Sequence, residues 1–164
     1  DCGIPLQSLA LSALDRAALD ICRSSEVLAL NMSWGGGAGL RKFAAKAVRA
    51  SSAVALLSMP EGSAHAYFQG GRALQRAWLA ASAHKLAVHP MSALPYLFAR
   101  LRSDPDSLPE WFAQSLADLW PSYARLFNTC EREAGVLLFR LAQPAGATPP
   151  AAPRRPISQV LRFL

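Results

Sequence analysis

The sequence predicts an α+β fold in which a small sheet is covered by helices. Three apolar runs have strand character, at residues 53–59, 86–90 and 134–143, and the first two end next to Pro60 and at Pro90. The stretches between them carry apolar residues at helical spacing. Because the predicted helices outnumber the predicted strands, the pattern favours an α+β domain with a helical layer over the sheet.

Helical signals account for most of the first fifty residues. Ser12 and Asp15 have the spacing of a capping box, which predicts a helix start at Ser12. Apolar residues at helical spacing then extend this helix over 12–32; they are Leu14, Ala18, Ile21, Cys22 and Leu28. The glycine run at 34–39 interrupts the chain. A second helix follows, with the apolar stripe Leu40, Phe43, Ala44, Ala47 and Val48.

Three further helices are predicted around the second and third strands. A long helix covers about 65–84, and the next begins just after the second strand, with Ser92 at a plausible N-cap position. The third starts near Pro109 and carries an apolar stripe of Phe112, Leu116, Leu119, Trp120 and Tyr123. Pro121 is expected to kink or end this third helix, because proline removes a helical hydrogen bond.

The chain length of 164 residues fits one domain. Residues 1–143 are predicted to form it, and residues 144–164 to form an extended Pro-rich arm with a basic C-terminal tail. Hydrophobic residues make up 52% and charged residues 17%. This balance indicates either a large core or apolar surface that faces a partner or another part of the protein.

Charge and cysteine content argue against several functional classes. The net charge of +6 is scattered rather than clustered with aromatic residues, so nucleic-acid binding is not expected. Cys2, Cys22 and Cys130 lack zinc-like or C-x-x-C spacing, and we expect reduced thiols in a cytoplasmic protein. No apolar run approaches the roughly 18 residues of a membrane span. The start Asp-Cys-Gly has no signal-peptide features and no initiator Met, which suggests a processed chain or a piece of a longer one.

Three short patterns do not support a nucleotide, hydrolase or metal site. The sixth position of the glycine run is Leu40, so the dinucleotide fingerprint fails, and no G-K-[ST] follows. Ser82 and Lys85 have S-x-x-K spacing, but the companion motifs of serine acylases are absent. His84 and His89 have no carboxylate at ligand spacing, so no metal site is predicted.

One stretch gives a more specific functional signal than these short patterns. Residues 70–101, GGRALQRAWLAASAHKLAVHPMSALPYLFARL, resemble the core helix and next strand of the FMN-dependent nitroreductase-like family, in a divergent, actinobacterial-type branch. The residues that match the pattern G-x-A-x-Q-x-x-x-L-A-A-x-x-x-G-L-x-x-x-P are Gly71, Ala73, Gln75, Leu79, Ala80, Ala81, Leu86 and Pro90. EAGVLLFRLAQPAGATPPAAPRRP, at 133–156, resembles the closing strand and Pro-rich arm of the family. The resemblance covers 4–160 loosely, and 68–100 and 134–157 well.

The resemblance implies a nitroreductase-like fold with a mostly antiparallel sheet, and it implies binding residues for FMN. Pro90, Met91 and Ser92 stand where the family places backbone amides near the flavin ring edge, because Pro90 is expected to end the strand and free the backbone of the next two residues. An alternative for Ser92 is a simple helix N-cap. Arg154 and Arg155 match a basic pair that reaches the FMN phosphate, which guanidinium groups bind well. The alternative for both is a solvated basic tail.

Two departures from the family pattern are visible. The family usually has glycine before the strand leucine, where this chain has Lys85. A left-handed helix end would cost a non-glycine residue roughly 1 kcal/mol. The family also opens with an Arg-Ser-x-Arg segment that grips the phosphate, and this chain starts downstream of the corresponding position. Arg23 and Ser24 are similar in type, but the sequence predicts them in mid-helix.

The implied function is that of an FMN-dependent NAD(P)H oxidoreductase domain. It would reduce small-molecule acceptors of the quinone or nitroaromatic type by ping-pong hydride transfer, as a homodimer, with no catalytic side chain because the flavin carries the chemistry. A fused adenylating domain of the ThiF type is a further expectation from the same branch. The alternative is a non-catalytic nitroreductase-like module that serves dimerisation or flavin sequestration within a larger protein.

Overall fold

The computed structural model describes residues 12–21, 23–144 and 155–160. The chain divides into two compact units: one consists of residues 45–144, and the other of 1–44 together with 145–164. The break after 144 lies one residue from the predicted domain end, whereas the break after 44 has no counterpart in the prediction. Most of the predicted Pro-rich arm lies outside the described residues.

Two short helices stand in the first unit where one was predicted over 12–32. Helix α1 spans Ala13–Ile21 and α2 spans Ser25–Ser33. The prediction of a single helix is wrong, because Arg23 and Ser24 form a turn between them. The Ser24 Oγ accepts a backbone N–H from the first turn of α2 over 3.4 Å. A serine side chain that bonds the backbone in this way favours a new helix start over continuation of the first helix.

The predicted capping box at the start of α1 is confirmed. The Asp15 N–H donates to Ser12 Oγ over 3.1 Å, and the Ser12 N–H donates to Asp15 Oδ2 over 2.9 Å. Each side chain therefore satisfies a backbone donor of the other residue. Helix α3 spans Ala38–Arg49, as the apolar stripe predicted, and it crosses the boundary between the two units.

The second unit contains a three-stranded antiparallel sheet, so the predicted small antiparallel sheet is confirmed. Strands β1 (Ala53–Met59), β2 (Ala87–Pro90) and β3 (Ala134–Ala142) lie within one residue of their predicted positions. The order is β1-β3-β2, so β3 pairs with both others. Leu138 on β3 lies opposite Leu56 on β1, and the register shifts after Leu57.

Helices flank this sheet, as predicted. They are α4 (Ala64–Ala83), α5 (Ala93–Ser103), a single 3₁₀ turn (Pro105–Ser107) and α6 (Glu110–Phe127); in the tail of the other unit, α7 is a short helix at Ile157–Val160. Helix α4 begins at Ser63, whose Oγ accepts the Ala66 N–H over 3.1 Å. No helix in the described parts of the chain is long and apolar enough to cross a membrane.

Pro121 lies inside α6 and does not end it, since the helix continues to Phe127. An interior proline costs about 3 kcal/mol of helix stability. Aromatic packing offsets this cost on both sides of the proline. Trp120 and Tyr123 lie 5.0 Å and 4.8 Å from the ring of Phe98 on α5, measured between ring centroids. The helix therefore continues because its aromatic face is anchored in the core.

Helices α4 and α5 lie on opposite faces of the sheet. A Cβ built on Gly70 of α4 would meet Val136 of β3 at 2.6 Å, whereas one built on Gly135 of β3 would meet Pro95 of α5 at 3.1 Å. Neighbouring strand residues point to opposite faces, so each side of β3 receives one helix. The core on the α5 side centres on Phe98, Leu116 and Tyr123, which are all buried.

We predict that Gly70→Ala destabilises the protein. Its new Cβ would lie 2.6 Å from a methyl group of Val136 and 3.2 Å from Met59 Cγ. Overpacking of this kind costs about 1–3 kcal/mol, which outweighs the gain of about 1 kcal/mol in helix propensity. Urea unfolding followed by circular dichroism measures the net loss.

The next residue supplies a matched control for this prediction. A Cβ on Gly71 meets nothing within 4 Å, so Gly71→Ala should keep the propensity gain and stabilise the chain by up to about 1 kcal/mol. Equal effects of the two substitutions would contradict the close packing of α4 on the sheet.

Candidate functional site

The turn from α4 to β2 has the backbone conformation that glycine usually provides. Lys85 has a φ of 57°. Its N–H donates to the Ser82 carbonyl over 3.0 Å, and the Leu86 N–H donates to the Ala81 carbonyl over 2.9 Å. These bonds form a Schellman motif, in which the left-handed residue is most often glycine. The position where the resemblance calls for glycine is therefore left-handed here, although it carries a lysine.

Strand β2 does not release the backbone at Pro90 as the sequence suggested. Pro90 lies opposite Phe139 in the β2–β3 ladder. The next N–H, that of Met91, donates to the Leu138 carbonyl over 2.7 Å. The expectation that the Met91 amide is free is therefore wrong, because the ladder continues one residue past the proline. Proline removes only its own N–H and leaves the next donor able to pair.

Ser92 is the first residue after β2 whose backbone N–H makes no hydrogen bond within the described residues. Its carbonyl accepts the Tyr96 N–H over 3.2 Å, so Ser92 occupies the N-cap position of α5. Its side chain makes no capping hydrogen bond, and its φ and ψ of −69° and −12° are helical. Ser92 is therefore the N-cap residue by its backbone position, as the simple alternative predicted, but its hydroxyl does not cap the helix. Among the described residues, the Ser92 N–H has no hydrogen-bond acceptor.

A histidine and an arginine face each other beside this turn. His89 of β2 lies opposite Arg140 of β3, and the Arg140 Nη1 donates to the Ala47 carbonyl over 2.9 Å. Partial desolvation lowers the pKa of His89 below its ordinary value, and the nearby Arg140 charge lowers it further. The imidazole is therefore held in its neutral form more strongly than that of a free histidine.

The basic pair predicted for the phosphate lies outside the unit that contains this turn. Arg154 lies outside the described residues. Arg155 is exposed and belongs to the unit that contains residues 145–164, whereas Pro90, Met91 and Ser92 belong to the other unit. The phosphate-binding role of both arginines stays a prediction.

Sequence reasoning missed two groups of β3 that lie next to the end of β2, Arg140 and the Leu138 carbonyl. Arg140 had a signal, because it is the one charged residue of an otherwise apolar strand over 134–142. The Leu138 carbonyl had none, since its role depends on the register between β2 and β3. Within the described residues, no three His, Cys, Asp or Glu side chains could together hold a metal ion.

Comparison with curated proteins shows similarity to a segment of a much longer polypeptide. The chain is 36% identical over 141 residues to the uncharacterized protein MT1398 of Mycobacterium tuberculosis (strain CDC 1551 / Oshkosh). The alignment covers 86% of this chain and 20% of the relative, so the chain spans about a fifth of the length of that protein. No protein-family model matches the chain. No solved structure matches it either.

We predict that Lys85→Gly stabilises the protein. Glycine removes the steric cost of a side chain at positive φ, a gain of about 1 kcal/mol that its extra freedom in the unfolded chain reduces only in part. Urea unfolding measures the shift. Lys85→Ala is the matched control: it removes the charge but keeps a Cβ at the left-handed position, and should stay close to the wild type. A gain from alanine equal to that from glycine would contradict the backbone explanation.

We predict that His89 makes the protein sensitive to mild acid. Its pKa is lowered in the folded state, so the unfolded chain binds the proton more readily. The free energy of unfolding therefore falls as pH drops through the unfolded pKa of about 6.5. His89→Gln should lose less stability than the wild type between about pH 7.5 and about pH 5.5, measured by urea unfolding. Arg140→Gln should lessen the same dependence, and identical slopes in all three proteins would contradict the prediction.

Proposed function

We propose that the chain is a nitroreductase-like domain that binds FMN and passes hydride from NAD(P)H to small acceptors of the quinone or nitroaromatic type. The observation that carries the proposal is the left-handed backbone of Lys85. The family usually has glycine at this point, between the long helix and the short strand, and glycine readily adopts a positive φ. The backbone of Lys85 has the conformation that such a glycine would adopt, which is consistent with the resemblance although the residue type differs.

The residues after β2 offer hydrogen-bond donors of the kind that one edge of a flavin ring accepts. The Ser92 N–H has no acceptor among the described residues, and Pro90 and Ser92 are exposed. Ser92, Ala93 and Leu94 begin α5, and the first N–H groups of a helix lack intrahelical acceptors. The chain thus offers donors and the partial positive charge of a helix start to an acceptor atom there. When bound, FMN supplies the hydride transfer, and no side chain is required as acid or base.

The outer face of α4 supports the homodimer in this proposal. Phe68 and Leu79 are 66% and 59% exposed, although both are large and apolar. Gly71 and Gln75 lie between them on the same side of the helix, and both are exposed. A Cβ on Gly71 meets nothing within 4 Å, so this surface has room for a second helix even with a methyl group at that position. The residues that carry the family pattern thus lie partly on an uncovered apolar surface, where a second copy of the chain would pack.

One observation favours the alternative, a non-catalytic module that dimerises or sequesters flavin within a larger protein. The Met91 N–H is committed to the Leu138 carbonyl, so one of the two amides expected at the ring edge is already satisfied. Fewer donors at the ring edge would tune a bound flavin less for reduction. Anaerobic addition of NADH or NADPH separates the two functions: loss of the visible flavin absorbance supports the oxidoreductase, and a flavin that stays oxidised supports the module.

We predict that Ser92→Pro weakens FMN binding about tenfold by removing one donor to the ring. The φ of Ser92 is −69°, which proline adopts without strain, so the fold should survive the change. Titration of FMN against the full chain, read by quenching of flavin fluorescence, measures the affinity.

Ser92→Ala is the control for this experiment. It keeps the N–H and removes a hydroxyl that makes no capping bond, so it should bind FMN like the wild type. Circular dichroism of all three proteins checks the fold. A wild-type chain that takes up no FMN overturns the proposed cofactor, and equal affinities for the proline and alanine variants overturn the role of the Ser92 amide.

A further inference from the structure

A small pocket lies on the α5–α6 side of the sheet, apart from the α4–β2 turn. Its volume is about 170 Å³. Its lining combines apolar and charged side chains; they are Phe98, Leu101, Arg102, Ala117, Trp120 and Glu131. Pockets for drug-sized ligands are larger, from about 300 Å³ upward, so this pocket suits a ligand of roughly ten non-hydrogen atoms.

The two charged groups of the lining are available for a ligand. The guanidinium carbon of Arg102 lies 5.3 Å from the centroid of the Trp120 ring, a cation–π arrangement that stacks the group on the pocket wall. Within the described residues, neither Arg102 nor Glu131 has an ion-pair partner within 4.0 Å. Opposite charges therefore line one pocket without neutralising each other.

The aromatic cluster that includes Trp120 of the pocket lining also contains a buried polar group. The Tyr123 hydroxyl is buried and has no hydrogen-bond partner in the described structure. Burial raises the pKa of Tyr123 to about 12, although the Arg102 charge acts in the opposite direction. The hydroxyl is therefore a protonated donor at neutral pH, and its ring lies 5.7 Å from that of Trp120. Among the described residues, this hydroxyl is the one buried side-chain polar atom without a hydrogen-bond partner.

We propose that this pocket binds a compact zwitterion with an apolar body, the chemistry of an apolar α-amino acid. Arg102 binds the carboxylate, since a guanidinium matches two carboxylate oxygens, and Glu131 binds the ammonium group. The apolar body lies against Phe98, Leu101 and Trp120. An anion without the ammonium group would face Glu131, and a cation without the carboxylate would face Arg102, so charge complementarity selects the zwitterion. This site is independent of the proposed flavin site.

Three probes with the same apolar body test the proposal: L-leucine, 4-methylpentanoate, which lacks the ammonium group, and 3-methylbutylamine, which lacks the carboxylate. Each is titrated into the full chain while the Trp120 indole N–H is followed by nuclear magnetic resonance, with Trp120→Phe used to assign the signal. L-leucine should shift this signal with a dissociation constant on the order of 1 mM, and each analogue should bind at least about tenfold more weakly.

Variants distinguish a specific binding site from weak surface contact. Arg102→Gln and Ala117→Leu, which fills the pocket, should each weaken L-leucine about tenfold or more, whereas Arg76→Gln on the exposed side of α4 should not. Glu131→Gln should weaken L-leucine while leaving 4-methylpentanoate unchanged or improved. The absence of any saturable shift, equal affinities for the three probes, or binding that survives Arg102→Gln would each overturn the proposal. Circular dichroism of each variant shows that loss of binding is not loss of fold.

Discussion

Strand β3 is the element on which the 45–144 unit depends, because β1 and β2 both pair with it. Leu138 at its centre shows this most clearly. Leu138 lies opposite Leu56 of β1, and its carbonyl accepts the Met91 N–H just after β2. Its side chain is 3% exposed and contributes to the core. One buried residue thus contacts both edge strands, so β3 ties the two edges of the sheet to the core.

The contacts on either side of β3 determine where the helices can lie. Gly70 lets α4 approach Val136, and Gly135 lets α5 approach through Pro95. A side chain at either glycine would enlarge the spacing between helix and sheet, and close-packed interiors resist even one added methyl group. The connection from α4 to β2 is short. The chain turns at Lys85, which adopts a left-handed conformation. This conformation carries a steric cost for lysine that glycine would avoid.

Much of the fold was visible in the sequence, and the errors have local physical causes. Continuous apolar runs located all three strands, and helical spacing located α4, each within about one residue, because buried elements need apolar residues in these patterns. The break at Arg23 and Ser24 was missed because the apolar spacing continues through it. The hydrogen bond from the Val27 N–H to Ser24 Oγ favours a new helix start there. Pro121 does not end α6, because its cost is local and the aromatic packing that offsets it is tertiary.

The same difference between local and tertiary effects explains the outcome at the candidate site. Residue types near Pro90 suggested a freed backbone, but the use of each amide depends on register, which a single sequence does not reveal. In the structure the Met91 N–H completes the ladder, and the Ser92 N–H is the first donor beyond it. A ligand that recruited the Met91 amide would have to break a 2.7 Å hydrogen bond within the sheet. A ligand that used the Ser92 amide would satisfy an orphan donor and break nothing, so any acceptor that docks at this turn gains more from Ser92 than from Met91.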